Sequence, residues 1–472
     1  MIPIAVETFA QIVGGEPHGF ASGVAVCGFA TDNRDVKPGD LFLAIKGARV
    51  DGHDFVADAM ARGAVGALAE WPVDGPYILV ANLIEALANL GRHYRAQFKG
   101  PVVGVTGSAG KTTAKEFIAA ALSRLGPILK TPGNRNTEYT SPLIWTDLVA
   151  QTSSLPSADS GRLEACATRA VVVEMSMRGF GQIRHLAEIS QPTIGVVTNV
   201  GYSHMSEVGS REGIAQAKAE LLESLPTDGV AVLWQEDPYL HTLRAKSPAK
   251  VVTFGYSEEA DCRITGYHAT SWTSCRIGGH CAGEPFEAIL PAVGRHIALG
   301  AAAAIAVAGS AGVPPAQAAL ALAKAEIPHM RMEVVDFHGA KLLLDTYNAA
   351  PPSMLAAIET FTELPCEGKR FAVIGEMREL GPYSEEAHRE LGRVLASSGI
   401  DEAIFYHGEA ALSAEEARMH GMVVHEAHSL GDIAEFLGRA LPGDGVLVKG
   451  SRSLELERAV EMAEERAGTG RP

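Results

Sequence analysis

At 472 residues, 47% of them hydrophobic and 20% charged, the chain is long enough for about two to four globular domains and has no bias toward disorder. Its 40 basic and 56 acidic residues leave a net charge of −16, which speaks against a general nucleic-acid or anionic-membrane binder, though not against a local basic pocket for a phosphate-bearing ligand. Six cysteines, at 27, 166, 262, 275, 281 and 366, form no CxxC pair, so neither a zinc site nor a redox dithiol is expected; mostly buried thiols in a reducing compartment are.

The opening MIPIAVETFAQIVGG has no basic n-region and no long apolar core, so no signal peptide is expected and the chain reads as cytoplasmic. A first block, residues 1–98, holds short β-like pieces (VAVCGFATD, DLFLAIKG, YILVA), the helical stretch FVADAMARGA, and a PGD turn ahead of a strand. A second block, 99–326, opens with the apolar strand Pro101–Val105 and continues through AVVVEM (170–175), TIGVVTNV (193–200) and GVAVLW (229–234). Near-continuous apolar runs of this kind suit parallel strands buried on both faces. Between them, QTSSLPSADSG (151–161) reads as a loop insertion. The run from Ile297 to Val313 is apolar, but it is built of Ala and Gly and stops at Pro314-Pro315, so it reads as a buried helix rather than a membrane span. A third block, 327–472, carries KLLLDTY, RFAVIGEM, EAIFYHG and GVLVKGS as strands with helices between them, the pattern of a second doubly wound sheet. The expected class is α/β.

The chemistry starts at GVTGSAGKTTAKEF, residues 104–117, a glycine loop between a strand and a helix. Gly107 and Gly110 let backbone N–H groups approach phosphate oxygens, with Ser108 and Ala109 between them, and the helix start adds a favourable dipole. Lys111 is expected to reach the β/γ-phosphates and the Thr112 hydroxyl, followed by Thr113, to ligate Mg²⁺. The strict P-loop pattern needs glycine at 105, where this chain has Val105, so the loop is a variant. Glu174 ends one predicted strand and His204 follows another; in a parallel sheet both lie at the same carboxyl edge as the loop, where they suit a metal site. Lys218, in GIAQAKAELLE, reads by itself as a solvated helical lysine.

TGSAGKTTAKE, TPGNRNTEYTSPL, VEMSMRGFGQIRHLAEI, PTIGVVTNVGYSHM, AKAELL, DTYNAAPPSM, VIGEMRELGPYSEEAH and VLVKGSRSLELE, in this order, resemble the Mur ligases, and TDNRDVKPGDLFLAIKG with DGHDF is similar to that family's uridine-nucleotide domain. The resemblance spans Thr31 to about Glu457 and points to the branch that adds D-alanyl-D-alanine to UDP-N-acetylmuramoyl-tripeptide. It implies three domains: a UDP-substrate domain, a central ATP-binding P-loop domain with a mostly parallel sheet, and a C-terminal Rossmann-like domain. It also implies ATP as substrate, Mg²⁺, an acyl-phosphate intermediate, no nucleic acid, no membrane insertion and a monomer. Carried over by position, Thr112, Glu174, His204 and a carbamylated Lys218 hold metal, and Lys111, Lys218, His204 and Glu174 are catalytic. Arg331 and Asp345 match nucleotide contacts. Thr31, Asn33 and Arg34 match the uracil and ribose segment, Asn134 and Asn136 a muramoyl-side loop. Tyr347, Asn348, Lys449, Ser451 and Arg452 face the acceptor dipeptide or a closed interface.

The chain departs from the family where asparagines are usual near adenine: Trp234 and Ile297 stand there, and the Trp234 indole offers a stacking face instead. Ser176 stands for a usual Gly, Gln182 for Glu, Asn33 for Ser and Thr137 for Asn. Two alternatives stay open at this level. One is a relative joining a different acid and amine by the same mechanism; the other is a nucleotide-binding scaffold without ligase activity.

Overall fold

A computed structural model describes residues 3–47, 50–148, 168–202 and 205–469. The stretch 151–161, Cys166 and His204 lie outside these residues. The chain divides into two compact units, one made of Met1–Gly104, Leu125–Ser176 and Gly181–Ile194, the other of Val105–Arg124, Met177–Phe180 and Gly195–Pro472.

The first unit holds a five-stranded sheet with spatial order Glu16–His18, Tyr77–Leu79, Gly66–Ala69, Asp40–Leu43, Gly28–Ala30. Only the outer strand Glu16–His18 is antiparallel to its neighbour; the other four run parallel. Their carboxyl ends therefore share one edge, where ligands of open α/β sheets collect. The PGD turn forms as expected: the Asp40 carboxylate accepts from Lys37 N–H at 2.9 Å, and Gly39 takes φ +93°. Phe42, Ala44, Val56, Ala59, Ala67 and Ala69 form a small core under this sheet. FVADAMARGA contributes the helix Val56–Ala61. Further along, Ile128–Lys130 pairs in parallel with Ala170–Glu174.

In the second unit, Val230–Trp234, Lys250–Gly255 and the start of Cys262–Ala269 run parallel. The sheet then turns into an antiparallel meander, Cys262–Ala269, Cys275–Cys281 and Glu284–Leu290, which the sequence reading did not anticipate. Burial alternates along its last two strands because only one face is covered. The Ala-rich run forms the helix Arg295–Ser310, with Ala301 to Ala304 fully buried. Alanine is the strongest helix former and the smallest side chain that keeps the fold, so this helix lies close on Lys111–Leu122. A Cβ on Gly300 would sit in ordinary van der Waals contact with Phe117 Cδ2 at 3.7 Å and Ala114 Cα at 3.9 Å, which shows how closely the two helices approach.

The C-terminal part of this unit is a six-stranded sheet, Glu333–Phe337, Ala340–Asp345, Gly445–Lys449, Arg370–Gly375, Glu402–Tyr406, Val423–Ala427. Its first pair is antiparallel and the rest parallel, so the doubly wound reading holds with one antiparallel edge added. Cys262, Cys275 and Cys281 are buried, and burial pushes the Cys275 thiol up to about 12; Cys366 is half-buried and Cys27 exposed. Among the described residues no helix is long and apolar enough to cross a membrane.

Candidate active site

The strand Val102–Thr106 leads into the glycine loop, and the helix Lys111–Leu122 leaves it. Gly107 has φ +152°, and a Cβ there would collide with the Thr198 hydroxyl; Gly110 has φ +77°. Both positions need glycine, one for space and backbone, the other for backbone alone. Thr198 and Asn199, which the sequence reading left inside a strand, hold the loop. Ser108 N–H donates to the Asn199 carbonyl at 3.0 Å and Ala109 N–H to Asn199 Oδ1 at 3.0 Å. Thr198 Oγ1 and Asn199 Nδ2 both donate to the Ala109 carbonyl, at 2.6 and 3.0 Å. The Ser108 hydroxyl accepts from Gly201 N–H at 2.8 Å. Lys111 folds over the loop, donating to the Gly107 carbonyl at 2.7 Å and the Ser108 carbonyl at 3.4 Å. The loop is thus shaped by its own strand neighbours, and its lysine is kept above it.

Lys218 is buried at 2% exposure in the helix Arg211–Glu223, which contradicts its reading as a solvated lysine. A four-residue spacing of Ile214, Lys218 and Leu222, all buried, puts it on the apolar face. Burial, and then the charge of Lys111, hold its pKa well below the usual lysine range, while Asp237 pulls the other way. The Asp237 carboxylate, itself raised first by burial, accepts from Val200 N–H at 2.7 Å and Tyr239 N–H at 2.8 Å. Arg211 donates to the Val200 carbonyl at 3.0 Å and lies over the rings of Tyr202 and Tyr239. Asp237 and Arg211 together pin the segment from Val200 to Tyr202.

Arg331 comes from the segment joining the central and C-terminal parts. Its Nη2 donates to Thr112 Oγ1 at 3.3 Å, and its guanidinium stacks over Tyr347, 4.1 Å from the ring centroid. Met330 and Met332 on either side have φ +59° and +52°, strained values for non-glycine residues that fix where the arginine points. The structure therefore brings together Lys111, Thr112, Arg331 and Tyr347. Asp345 and Lys449 form a buried ion pair at 2.5 Å, and Lys449 also donates to the Asn348 carbonyl at 2.9 Å. The Ser451 hydroxyl is buried, bridging the Glu376 carbonyl and Arg378 N–H, whereas Arg452 is exposed and paired with Glu457. A cluster not singled out from sequence lies nearby: the Glu376 carboxylate joins Arg378 Nε at 3.0 Å and His407 Nδ1 at 3.1 Å.

Trp234 and His296 each bury a polar atom with no hydrogen-bond partner, the indole Nε1 and the imidazole Nδ1. Burial pushes the His296 pKa down to about 4, so the ring is neutral at neutral pH. Ile297 is buried at 3% exposure.

In the first unit, Glu174 is buried at 1% exposure, and its Oε1 accepts from Asn136 Nδ2 at 2.7 Å. Asn136 is held in turn by Ser176, whose hydroxyl donates to Asn136 Oδ1 at 3.0 Å; the serine standing for a usual glycine thus braces this pair. Gln182 donates to Glu138 at 2.9 Å. Asn134 and Thr31 are exposed. Asn33 donates to the Asp58 carboxylate at 2.5 Å, and Arg34 pairs with Asp32, whose carboxyl it holds down at about 2. Among the described residues no group of three or more His, Cys, Asp or Glu side chains gathers as for a metal.

A lysine-bearing glycine loop between the carboxyl end of a buried strand and a helix defines an α/β protein of the P-loop class. Three family models match in chain order: the Mur ligase family catalytic domain over residues 26–121, the Mur ligase middle domain over 105–308 and the Mur ligase glutamate ligase domain over 330–452. The chain belongs to the Mur ligase family. It is 33% identical to the UDP-N-acetylmuramoyl-tripeptide–D-alanyl-D-alanine ligase of Bacillus subtilis over 98% of each chain, and 31% identical to the Escherichia coli protein of the same name over 98% and 99%. Among solved structures it is similar to MurF from Acinetobacter baumannii (TM-score 0.84, 28% identity, 98% and 99% covered). It is also similar to MurF from Thermotoga maritima in complex with ADP (TM-score 0.77, 30% identity, 94% and 98% covered). The three-domain α/β class expected from sequence is that of these structures.

Proposed function

We propose that this chain is an ATP-dependent, ADP-forming ligase that adds D-alanyl-D-alanine to UDP-N-acetylmuramoyl-tripeptide in cytoplasmic peptidoglycan precursor synthesis. The observation that carries it is end-to-end likeness to ligases of that name in two distant bacteria, at 33% and 31% identity. Domain limits near 98 and 326 and a monomeric state belong to the same proposal.

The reaction has two steps. An oxygen of the tripeptide's terminal carboxylate attacks the γ-phosphorus of ATP, ADP leaves, and an acyl phosphate forms. The neutral amine of D-alanyl-D-alanine then attacks the acyl carbon, inorganic phosphate leaves, and the amine proton passes to solvent or a base. Lys111 and Arg331 offset the repulsion between two anions that must meet. Tyr347 keeps the guanidinium in place by stacking on it. The Thr112 hydroxyl and the Glu174 carboxylate are each of the hard oxygen type that Mg²⁺ takes; in this reading they would hold it, and it would supply positive charge to the phosphates. His204 completes this set in the proposal. Asn136 orients Glu174 by its 2.7 Å bond. Burial favours the neutral form of Lys218, the form of an amine that takes up CO₂ as a carbamate, which turns a cation into an oxygen ligand. Thr31, Asn33, Arg34 and Asn134 serve the UDP-muramoyl substrate in this reading, Asp345 the nucleotide. Tyr347, Asn348, Lys449, Ser451 and Arg452 form the acceptor side, Lys449 and Ser451 from within as braces.

The test is phosphate release from ATP by purified protein with each substrate alone and both together. Release only with both is expected; background release with both present would sink the proposal. An accompanying amine screen finding D-alanyl-D-alanine a poor acceptor would shift it to a related ligase.

Asn199→Ala removes two hydrogen bonds that shape the loop. It is expected to raise the KM for ATP by roughly 10-fold and to cost about 1–2 kcal/mol of stability. Steady-state kinetics with a thermal melt would check this, and an unchanged KM would show that the loop holds its shape without that clamp.

A further inference from the structure

Trp71 lies at the carboxyl edge of the parallel strands in the first unit and has no role in the account above. It directly follows Glu70 at the end of the strand Gly66–Ala69 and is 38% exposed, unusual for the largest aromatic side chain. One face of its ring is stacked on His53, with centroids 3.6 Å apart and planes 13° from parallel. That histidine is buried and fixed at both nitrogens. Nδ1 meets Asp51 Oδ1 at 2.7 Å, and Nε2 accepts from Glu70 N–H at 3.2 Å, which places the proton on Nδ1. Asp51 also accepts from His53 N–H at 3.0 Å and bridges to Lys46 through backbone pairing. The Lys46 ammonium stands over the indole, 5.7 Å from its centroid, near the outer reach of a cation–π contact and hence readily drawn away.

A surface tryptophan needs no ligand by itself. This one is seated on a buried histidine held at both nitrogens, stays 38% exposed and carries the Lys46 ammonium over its ring, at an edge where ligands of open α/β sheets collect. Three stretches after the carboxyl ends of these strands each bring complementary chemistry: Thr31–Arg34 after Gly28–Ala30, Lys46 and His53 after Asp40–Leu43, and Trp71 after Gly66–Ala69. An aromatic face under the Lys46 ammonium, at an edge that also carries Arg34, suits a base carried on a diphosphate.

We propose that the face of Trp71 turned away from His53 is the platform on which the pyrimidine base of the uridine nucleotide stacks, with His53 as the positioning residue that holds the ring flat. This rests on the function proposed above and names a residue that grips its substrate. Stacking on one base is worth roughly a 10-fold or greater change in affinity when the ring is removed.

The test pairs kinetics with UMP binding, followed by intrinsic fluorescence and by calorimetry. Trp71→Ala is expected to raise the KM for the UDP-muramoyl tripeptide by roughly 10-fold or more, with kcat at saturation and the KM for ATP within about 2-fold. Trp71→Phe should restore most of the affinity, and Trp71→Leu, similar in bulk but without a π face, should not. UMP should change the fluorescence of the wild type and not of Trp71→Phe. A wild-type UMP affinity retained in both the Leu and Ala proteins, or no UMP binding by the wild type, overturns the platform. If UMP binding depends on Trp71 but the wild type releases no phosphate with both substrates, the reaction falls and the platform stands. Should Trp71→Ala not fold, the Phe and Leu proteins decide the matter.

Discussion

Lys111→Ala is expected to lower turnover by about 10³-fold or more while the protein stays folded. Its ammonium is the only side-chain charge built into the glycine loop, and it hovers at 2.7 Å from the Gly107 carbonyl, within a short swing of any phosphate held by the helix start. ATP and a carboxylate repel each other most when they react, so the missing charge is felt in the transition state more than in the bound complex. The kcat should fall further than the KM for ATP rises. The stability cost is small, about 1 kcal/mol, because the bonds to the Gly107 and Ser108 carbonyls are replaced by water once the lysine is gone. Phosphate release and a melting curve measure both; turnover within about 10-fold of wild type would remove Lys111 from the chemistry.

The second large effect is at Lys218. Lys218→Met should lose turnover by about 10²–10³-fold and keep or raise thermal stability. The reason is the same for both halves. A lysine at 2% exposure is a poor place for a charge, so an apolar side chain of similar volume packs at least as well there. It cannot, however, supply a carbamate oxygen. Lys218→Ala should recover part of its activity with added formate or acetate, small carboxylates that enter the space left; a fully active Lys218→Ala without any addition would refute the carbamate. The pH dependence has a definite sign. The folded pKa lies below the ordinary 10.5, so between those two values the unfolded chain binds the additional proton and the wild type gains stability as pH rises. The Met variant should lack that share of the slope in CO₂-free buffer.

Much of this was legible in the chain. The apolar runs at 102–106, 170–174, 194–197 and 230–234 became strands because burial on both faces leaves no alternation to misread. The Ala-rich run became a buried helix for the reason its composition suggested. The meander 262–290 was missed although Cys275–Cys281 alternates, because small and polar residues such as Gly278, Gly279 and His280 blur a period of two. Thr198 and Asn199 were missed because their partners are some 90 residues away, a distance no local pattern encodes. The support of Trp71 was invisible for a similar reason: His53 and Glu70 are separated by 17 residues and meet only across parallel strands.

What the sequence by itself determined is chemistry that resides in contiguous residues: the glycine loop, its lysine and threonine, and the strands that carry them. Glycine at 107 and 110 and lysine at 111 are local requirements, and local requirements leave local signatures. Only the tertiary structure decided environment. It showed that Lys218 is buried rather than solvated, that Arg331 reaches Thr112 from 219 residues away, and that Ser176 braces Asn136 against Glu174. Burial and long-range contact are sums over the whole fold, and the charge state of a lysine or the aim of an arginine follows from those sums rather than from its neighbours in the chain.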